Sequence, residues 1–289
     1  LSWRAFYPRL DYQRAYLVPV IIFGVASLGC GNTRPFAATA APDSAGPRGK
    51  VIGHSRGVAV TSVAPAAMVT GALGGRRVEG PHLIYFADPM CSWCYGFSRV
   101  IDEIRAAFAG ALPIRLVMGG LRPGAEEPMA EAAKAEIEGH WRQVQAATGL
   151  VFDATILRRE GFVYDTDPAA RAVVVLRRDD PELAVRFLGR VQSAFYSEGR
   201  DVTRGEVLAE LVAEFGLDPK AFTEAWSSEA AQQETWRDYA ISQHAGVTGF
   251  PTLVAGPNDE GVFGVVTRGY APPAQVVGVL RDWIQRIAA

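Results

Sequence analysis

The chain has 289 residues, a formal net charge of −2, 49% apolar residues and 21% charged residues. That balance excludes an intrinsically disordered chain and allows one large or two small domains. Residues 1–80 hold nine Lys/Arg against three Asp/Glu and the remainder is net acidic, so the larger part carries no basic footprint for nucleic acid.

Residues 1–80 show no sustained helix or strand period and are rich in Ala, Gly, Pro, Val and Arg. They are expected to be poorly ordered, with little core of their own. Within them an apolar run over 16–30 follows Arg4, Arg9 and Arg14 and ends near Ser27-Leu28-Gly29-Cys30, a signal-like pattern too short for a membrane span. Two readings stand side by side. The run exports or anchors the protein, or residues 1–67 do not belong to the native chain, which first shows Met at Met68, and the protein is cytoplasmic.

His82 to Ala87 reads as a strand, apolar enough to be buried on both faces. Asp88-Pro89 makes a turn, and a helix begins at Cys91 and Cys94 and runs to Phe108 with Phe97, Val100, Ile101 and Ile104 on one stripe. Gly110 closes it, and Ile114 to Met118 is the next strand, ending at Gly119-Gly120. Strand, helix and strand in about forty residues predict a βαβ unit with parallel strands.

A helical stretch follows from Pro128 to about His244. Ala133, Ile137, Trp141 and Val144 share one face; Asp167-Pro168, Asp180-Pro181 and Asp218-Pro219 read as helix starts, and Thr203 with Glu206 has capping-box spacing. Trp226 and Trp236 are expected in the core. Thr252–Ala255, a turn cluster at 257–261 and Val262–Arg268 predict a β-hairpin, and Pro273–Ile287 a final amphipathic helix.

The chemistry is concentrated at Cys91 and Cys94. Three residues apart on a helix, they fall on one face at a separation suited to a disulfide. A helix N-terminus offers unpaired N–H groups and the positive end of the dipole, both of which favour thiolate, the reactive form of cysteine. Cys91 is therefore assigned as the attacking thiol and Cys94 as the resolving thiol. Zinc needs four ligands; Cys30 and His54, His82, His140 and His244 show no ligand spacing, so no metal site is expected. Two inert core cysteines remain the competing reading. The second element is Gly246-Val247-Thr248-Gly249-Phe250-Pro251-Thr252, where a cis Phe250–Pro251 bond would leave Phe250 backbone groups free to pair with an extended peptide beside Cys91.

Asp88-Pro89-Met90-Cys91-Ser92-Trp93-Cys94-Tyr95-Gly96-Phe97, together with residues 246–252, resembles the DsbA-like thiol–disulfide oxidoreductases in their FrnE-like branch, over about residues 82–288. The resemblance implies an α/β chain with a thioredoxin-like fold built from 81–122 and 246–288, and a large α-helical insertion over 123–245. It implies a redox pair at Cys91 and Cys94, with Pro251 as the cis-proline facing it and with Phe250 and Trp93 beside the substrate. The Tyr164 to Arg171 stretch is also similar to the family's insertion. Two positions depart from the pattern. Ser92-Trp93 replaces the Pro-His of DsbA, so that enzyme's oxidising poise is not implied. Tyr85 stands six residues before Cys91, where many relatives hold a buried carboxylate. Asp88 is expected nearer the surface, in a turn-forming role.

The resulting expectation is disulfide exchange with protein or peptide thiols and an electron-transfer partner, by a monomer or homodimer. No bound cofactor beyond the Cys91–Cys94 disulfide is expected, with glutathione open as co-substrate. The alternatives are a glutathione-dependent isomerase or transferase resembling 2-hydroxychromene-2-carboxylate isomerase, against which Cys94 argues, and a non-enzymatic peptide-binding protein.

Overall fold

A computed structural model describes residues 80–108 and 110–287. The apolar run 16–30, Cys30 and the expectations for residues 1–79 lie outside the described residues. Four strands form one mixed sheet: β1 (His82–Ala87), β2 (Ile114–Met118), β3 (Thr252–Gly256) and β4 (Gly264–Arg268), in the order β2-β1-β3-β4. β1 pairs parallel with β2, Leu83 opposite Ile114 and Ala87 opposite Met118. It pairs antiparallel with β3, Leu83 opposite Ala255 and Phe86 opposite Thr252.

The continuous apolarity of β1 has its cause here. Leu83, Tyr85 and Ala87 point into a large core with Phe97, Ile104, Leu116, Leu253 and Leu280. Ile84 and Phe86 point the opposite way, into a smaller cluster with Val117, Ile241, Val254 and Phe263. With both faces covered, the alternation seen in half-exposed strands has no purpose.

The expected single helix from the cysteines to Phe108 is two helices, α1 (Ser92–Gly96) and α2 (Ser98–Phe108), broken at buried Phe97. The Phe97 N–H is shared between the Trp93 and Cys94 carbonyls, which tightens the last turn of α1. The two helices answer to different partners. α1 packs on α3 (Glu131–Thr148) and α5 (Pro181–Tyr196), whereas α2 packs on α9 (Pro273–Ile287).

Between β2 and β3 come α3, a 3₁₀ turn at Ala154–Arg158, α4 (Asp167–Arg177), α5, α6 (Gly205–Ala213), α7 (Pro219–Trp226) and α8 (Glu229–His244). Asp180 and Asp218 cap α5 and α7 as the Asp-Pro pairs predict, accepting from Glu182 and Leu183 N–H and from Lys220 N–H. Each such cap contributes about 1 kcal/mol. Asp167 does not cap α4. Thr166 holds that position, and Asp167 turns inward to pair with Arg171 and accept from the Tyr239 hydroxyl. The capping box at Thr203 and Glu206 is also absent: α6 starts after Arg204, and the Thr203 hydroxyl donates to Asp201. In both cases a buried or nearer partner outcompetes the free N–H groups of a helix end. Trp226 and Trp236 pack partly buried against the core.

A buried ion pair fastens the insert to the sheet. Asp238 of α8 accepts from the Met118 N–H at 2.8 Å and from Arg177 of α4, which in turn donates to the Leu116 carbonyl at 2.7 Å. Asp238→Ala removes one side of this pair and leaves the Arg177 cation and the Met118 N–H buried without it. The expected loss is about 3–5 kcal/mol, read as a lowered urea midpoint at unchanged m-value.

Candidate active site

The sheet delivers the cysteines. β1 ends at Ala87, the chain turns through Asp88-Pro89-Met90, and Cys91 occupies the N-cap of α1 in extended conformation. The Cys91 N–H closes the turn onto the Asp88 carbonyl at 3.1 Å. Both cysteines are free thiols, and the Cys94 sulfur is close enough to hydrogen-bond with Cys91. Cys91 keeps 7% of its surface exposed, whereas Cys94 has none. Among the described residues no cluster of His, Cys, Asp and Glu is arranged to hold a metal.

The Phe250–Pro251 peptide is cis, and the Cys91 thiol points at the Phe250 carbonyl, Sγ to O 3.6 Å. Two bonds hold this loop in place: Gly269 N–H to the Pro251 carbonyl at 2.7 Å and Thr252 Oγ1 to the Gly249 carbonyl at 2.8 Å. Gly119, at the end of β2, is the reason the Phe250 ring can lie where it does, because a Cβ there would stand 2.2 Å from Phe250 Cζ. Gly120 sits in the left-handed region under the Tyr239 ring. The half-buried Trp93 ring packs on Tyr270 at 5.9 Å. The structure thus brings Cys91, Cys94, Phe250 and Pro251 together, with Trp93 and Tyr270 forming an aromatic pair at the first turn of α1.

Asp88 is not near the surface. It is fully buried, and its carboxylate accepts from Met90 N–H at 2.9 Å, from Leu121 N–H at 2.8 Å and from the Thr166 hydroxyl. The Asx turn onto Met90 was legible from Asp-Pro. The contacts to Leu121 and Thr166 come from remote elements and were not. Burial pushes Asp88 up to about 6, against these three donors, which favour the ionised form. Burial likewise raises the Cys94 thiol well above its usual range, with the Cys91 hydrogen bond and charge adding to it; the Asp88 main-chain N–H works the other way. Tyr85 is buried beside Cys94, and burial and then the two thiols keep its phenol neutral.

Two further residues emerge only from the fold. The Tyr164 hydroxyl donates to the Met90 carbonyl at 2.6 Å, and Tyr196 lies 3.2 Å from Tyr164, hydroxyl to hydroxyl. The sequence signals Tyr164 only as part of the 164–171 stretch and Tyr196 not at all.

With this geometry established, comparison with known proteins is decisive. The model of the DSBA-like thioredoxin domain matches residues 82–268. The chain belongs to that family. DsbA-like membership carries thiol–disulfide oxidoreductase activity on a thioredoxin fold, and solved structures agree. A candidate protein disulfide isomerase from Nitrosomonas europaea is 35% identical, with TM-score 0.66, over 72% of this chain and 99% of its own. The cytosolic disulfide reductase DsbM from Pseudomonas aeruginosa is 27% identical, with TM-score 0.60, over 71% and 99%, and has also been solved with GSH. Among curated sequences, the ClpXP adapter protein SpxH of Halalkalibacterium halodurans is 21% identical over 72% of this chain and 70% of its own. No helix among the described residues of this DsbA-like protein is long and apolar enough to cross a membrane.

Two measurements check the site. The Asp88 carboxyl should titrate near pH 6 in a carbon-13 NMR experiment. Its folded value lies above the 3.8 of an ordinary aspartate, so the native state holds this proton more tightly. The resulting stability is fully present below about pH 4 and is lost as pH rises through 6. Relative to Asp88→Asn, the wild type should therefore gain about 2 kcal/mol between pH 7 and pH 4 in denaturant titrations. Separately, Gly119→Ala should cost about 1–3 kcal/mol by forcing the Phe250 ring away, again read from denaturant midpoints.

Proposed function

We propose that Cys91 and Cys94 are the redox pair of this oxidoreductase, and that it reduces disulfides in proteins or peptides with glutathione as the source of electrons. The observation that carries the reading is the placement of the Cys91 sulfur against the Phe250 carbonyl, on the partly open side of the pair, with Cys94 sealed one turn deeper. An extended substrate laid along Phe250 and Pro251 brings its own sulfur to Cys91, with main-chain groups pairing as in strand addition. The direction and the thiol source are supported by the DsbM reductase, at 27% identity, and by its GSH-containing form.

The steps balance as follows. Cys91, as thiolate, attacks one sulfur of the substrate disulfide; a Cys91–substrate disulfide forms and the other substrate sulfur leaves as a thiolate that takes up a proton. Cys94 then loses its proton and attacks the Cys91 sulfur, releasing the second substrate thiol and leaving the Cys91–Cys94 disulfide. Two glutathione thiols reduce that disulfide and depart as oxidised glutathione. Cys94, raised by burial, needs a base for its step. Asp88 is the carboxylate at hand: its charge is near enough to help raise the Cys94 thiol, and a value near 6 leaves it mostly ionised at neutral pH. Below about pH 6 it fills with a proton, and the resolving step should slow.

Cys91→Ser should lower glutathione-driven insulin reduction by a factor on the order of 10³ or more. Cys94→Ser should instead accumulate a mixed disulfide on Cys91, visible by intact-mass spectrometry. Undiminished turnover by Cys91→Ser would reject the assignment.

A further inference from the structure

The Cys91–Cys94 segment is gripped at both ends by two tyrosines of the helical insert. Ahead of Cys91, the fully buried Met90 has its N–H bonded by Asp88 and its carbonyl bonded by the Tyr164 hydroxyl. Just past Cys94, the Tyr95 ring stacks on Tyr196 at 5.1 Å with only 10° between planes. The two gripping residues touch each other through their hydroxyls. A carbonyl can only accept, so Tyr164 donates its proton to Met90, and Tyr196 must be the donor to Tyr164. The result is a directed chain, Tyr196 to Tyr164 to Met90, ending on the peptide bond from which Cys91 projects. Tyr164 and Tyr196 are themselves buried among Phe162, Phe195, Phe152 and Trp141, so neither ring has room to follow a movement of the turn.

We propose that Tyr164 is a positioning residue for the thiol pair: by fixing the Met90 carbonyl it holds Cys91 ready for Cys94 and so favours the disulfide form over the dithiol form. This rests on reading Cys91 and Cys94 as the redox pair. The asymmetry has a simple origin. In the dithiol form the Cys91 side chain is held only by weak contacts, to the Phe250 carbonyl and to the Cys94 sulfur, so its place is set by the backbone turn that Tyr164 locks. In the disulfide form the covalent bond to Cys94 itself fixes Cys91. Loss of the Tyr164 hydroxyl leaves the Met90 carbonyl short of its partner in both forms, but the positional freedom it releases belongs to the dithiol, which is thereby favoured relative to the disulfide.

The test is Tyr164→Phe, equilibrated with glutathione and oxidised glutathione alongside wild type, with the oxidised fraction read by thiol alkylation and mass spectrometry. The equilibrium should move about tenfold towards the dithiol, a potential about 30 mV less negative. A role confined to stability lowers the denaturant midpoints of both redox forms equally and leaves this equilibrium unmoved. Agreement with wild type within twofold would therefore overturn the proposal. Tyr196→Phe removes the donor that orients Tyr164 but keeps the Met90 bond, and it serves where Tyr164→Phe does not fold. It should shift the equilibrium the same way by about threefold, and no shift, or one towards the disulfide, counts against the proposal. If the wild-type pair itself fails to equilibrate with glutathione, the redox assignment falls first and the positioning role with it.

Discussion

The contact on which the arrangement depends is the approach of the Cys91 thiol to the Phe250 carbonyl. These residues lie 159 positions apart, on opposite sides of the entire helical insert. β1 and β3 are adjacent antiparallel strands, Phe86 opposite Thr252, so the turn leaving β1 and the loop entering β3 emerge at the same edge of the sheet. The sheet pairing places the two loops together, and the glycine at 119 leaves the space that lets the Phe250 ring lie over the end of β2.

Burial then gives the two sulfurs different surroundings. Cys91 sits at the boundary, with a helix end behind it. Cys94, one turn on, faces Tyr85 and the underside of the Asp88 turn, where desolvation favours the neutral thiol. The same burial raises Asp88, although it has three donors that would ordinarily hold a carboxylate down. Desolvation outweighs hydrogen bonding at that site. A carboxylate poised near neutrality beside a thiol that must shed a proton is a coherent pairing, and it sits three residues before the first cysteine rather than six.

The helical insert does more than cover the sheet. Its ion pair between Arg177 and Asp238 binds the main chain of β2 directly, at Leu116 and Met118, so insert and sheet share hydrogen bonds as well as apolar surface. Its aromatic cluster reaches the cysteine segment from the other side, through Tyr164 onto Met90 and Tyr196 onto Tyr95. The thiol pair is therefore held between two bodies of structure, and its properties depend on both.

Much of this was legible in the chain order alone. The unbroken apolarity of residues 83–87, the βαβ spacing, the Asp-Pro caps at 180 and 218 and the Cys-Ser-Trp-Cys motif are local patterns, and local geometry is what neighbouring residues decide. The break at Phe97, the inward turn of Asp167, the burial of Asp88 and the grip of Tyr164 were not legible. Each depends on a partner tens of residues away: α9 against α2, Tyr239 on Asp167, Leu121 and Thr166 on Asp88, Met90 under Tyr164. The sequence by itself determined which elements form and which atoms are reactive, because helix and strand periods and thiol chemistry are short-range. Only the tertiary structure decided which of those atoms are shielded, paired or exposed, because desolvation is set by what packs on a group, and that is a property of the whole fold.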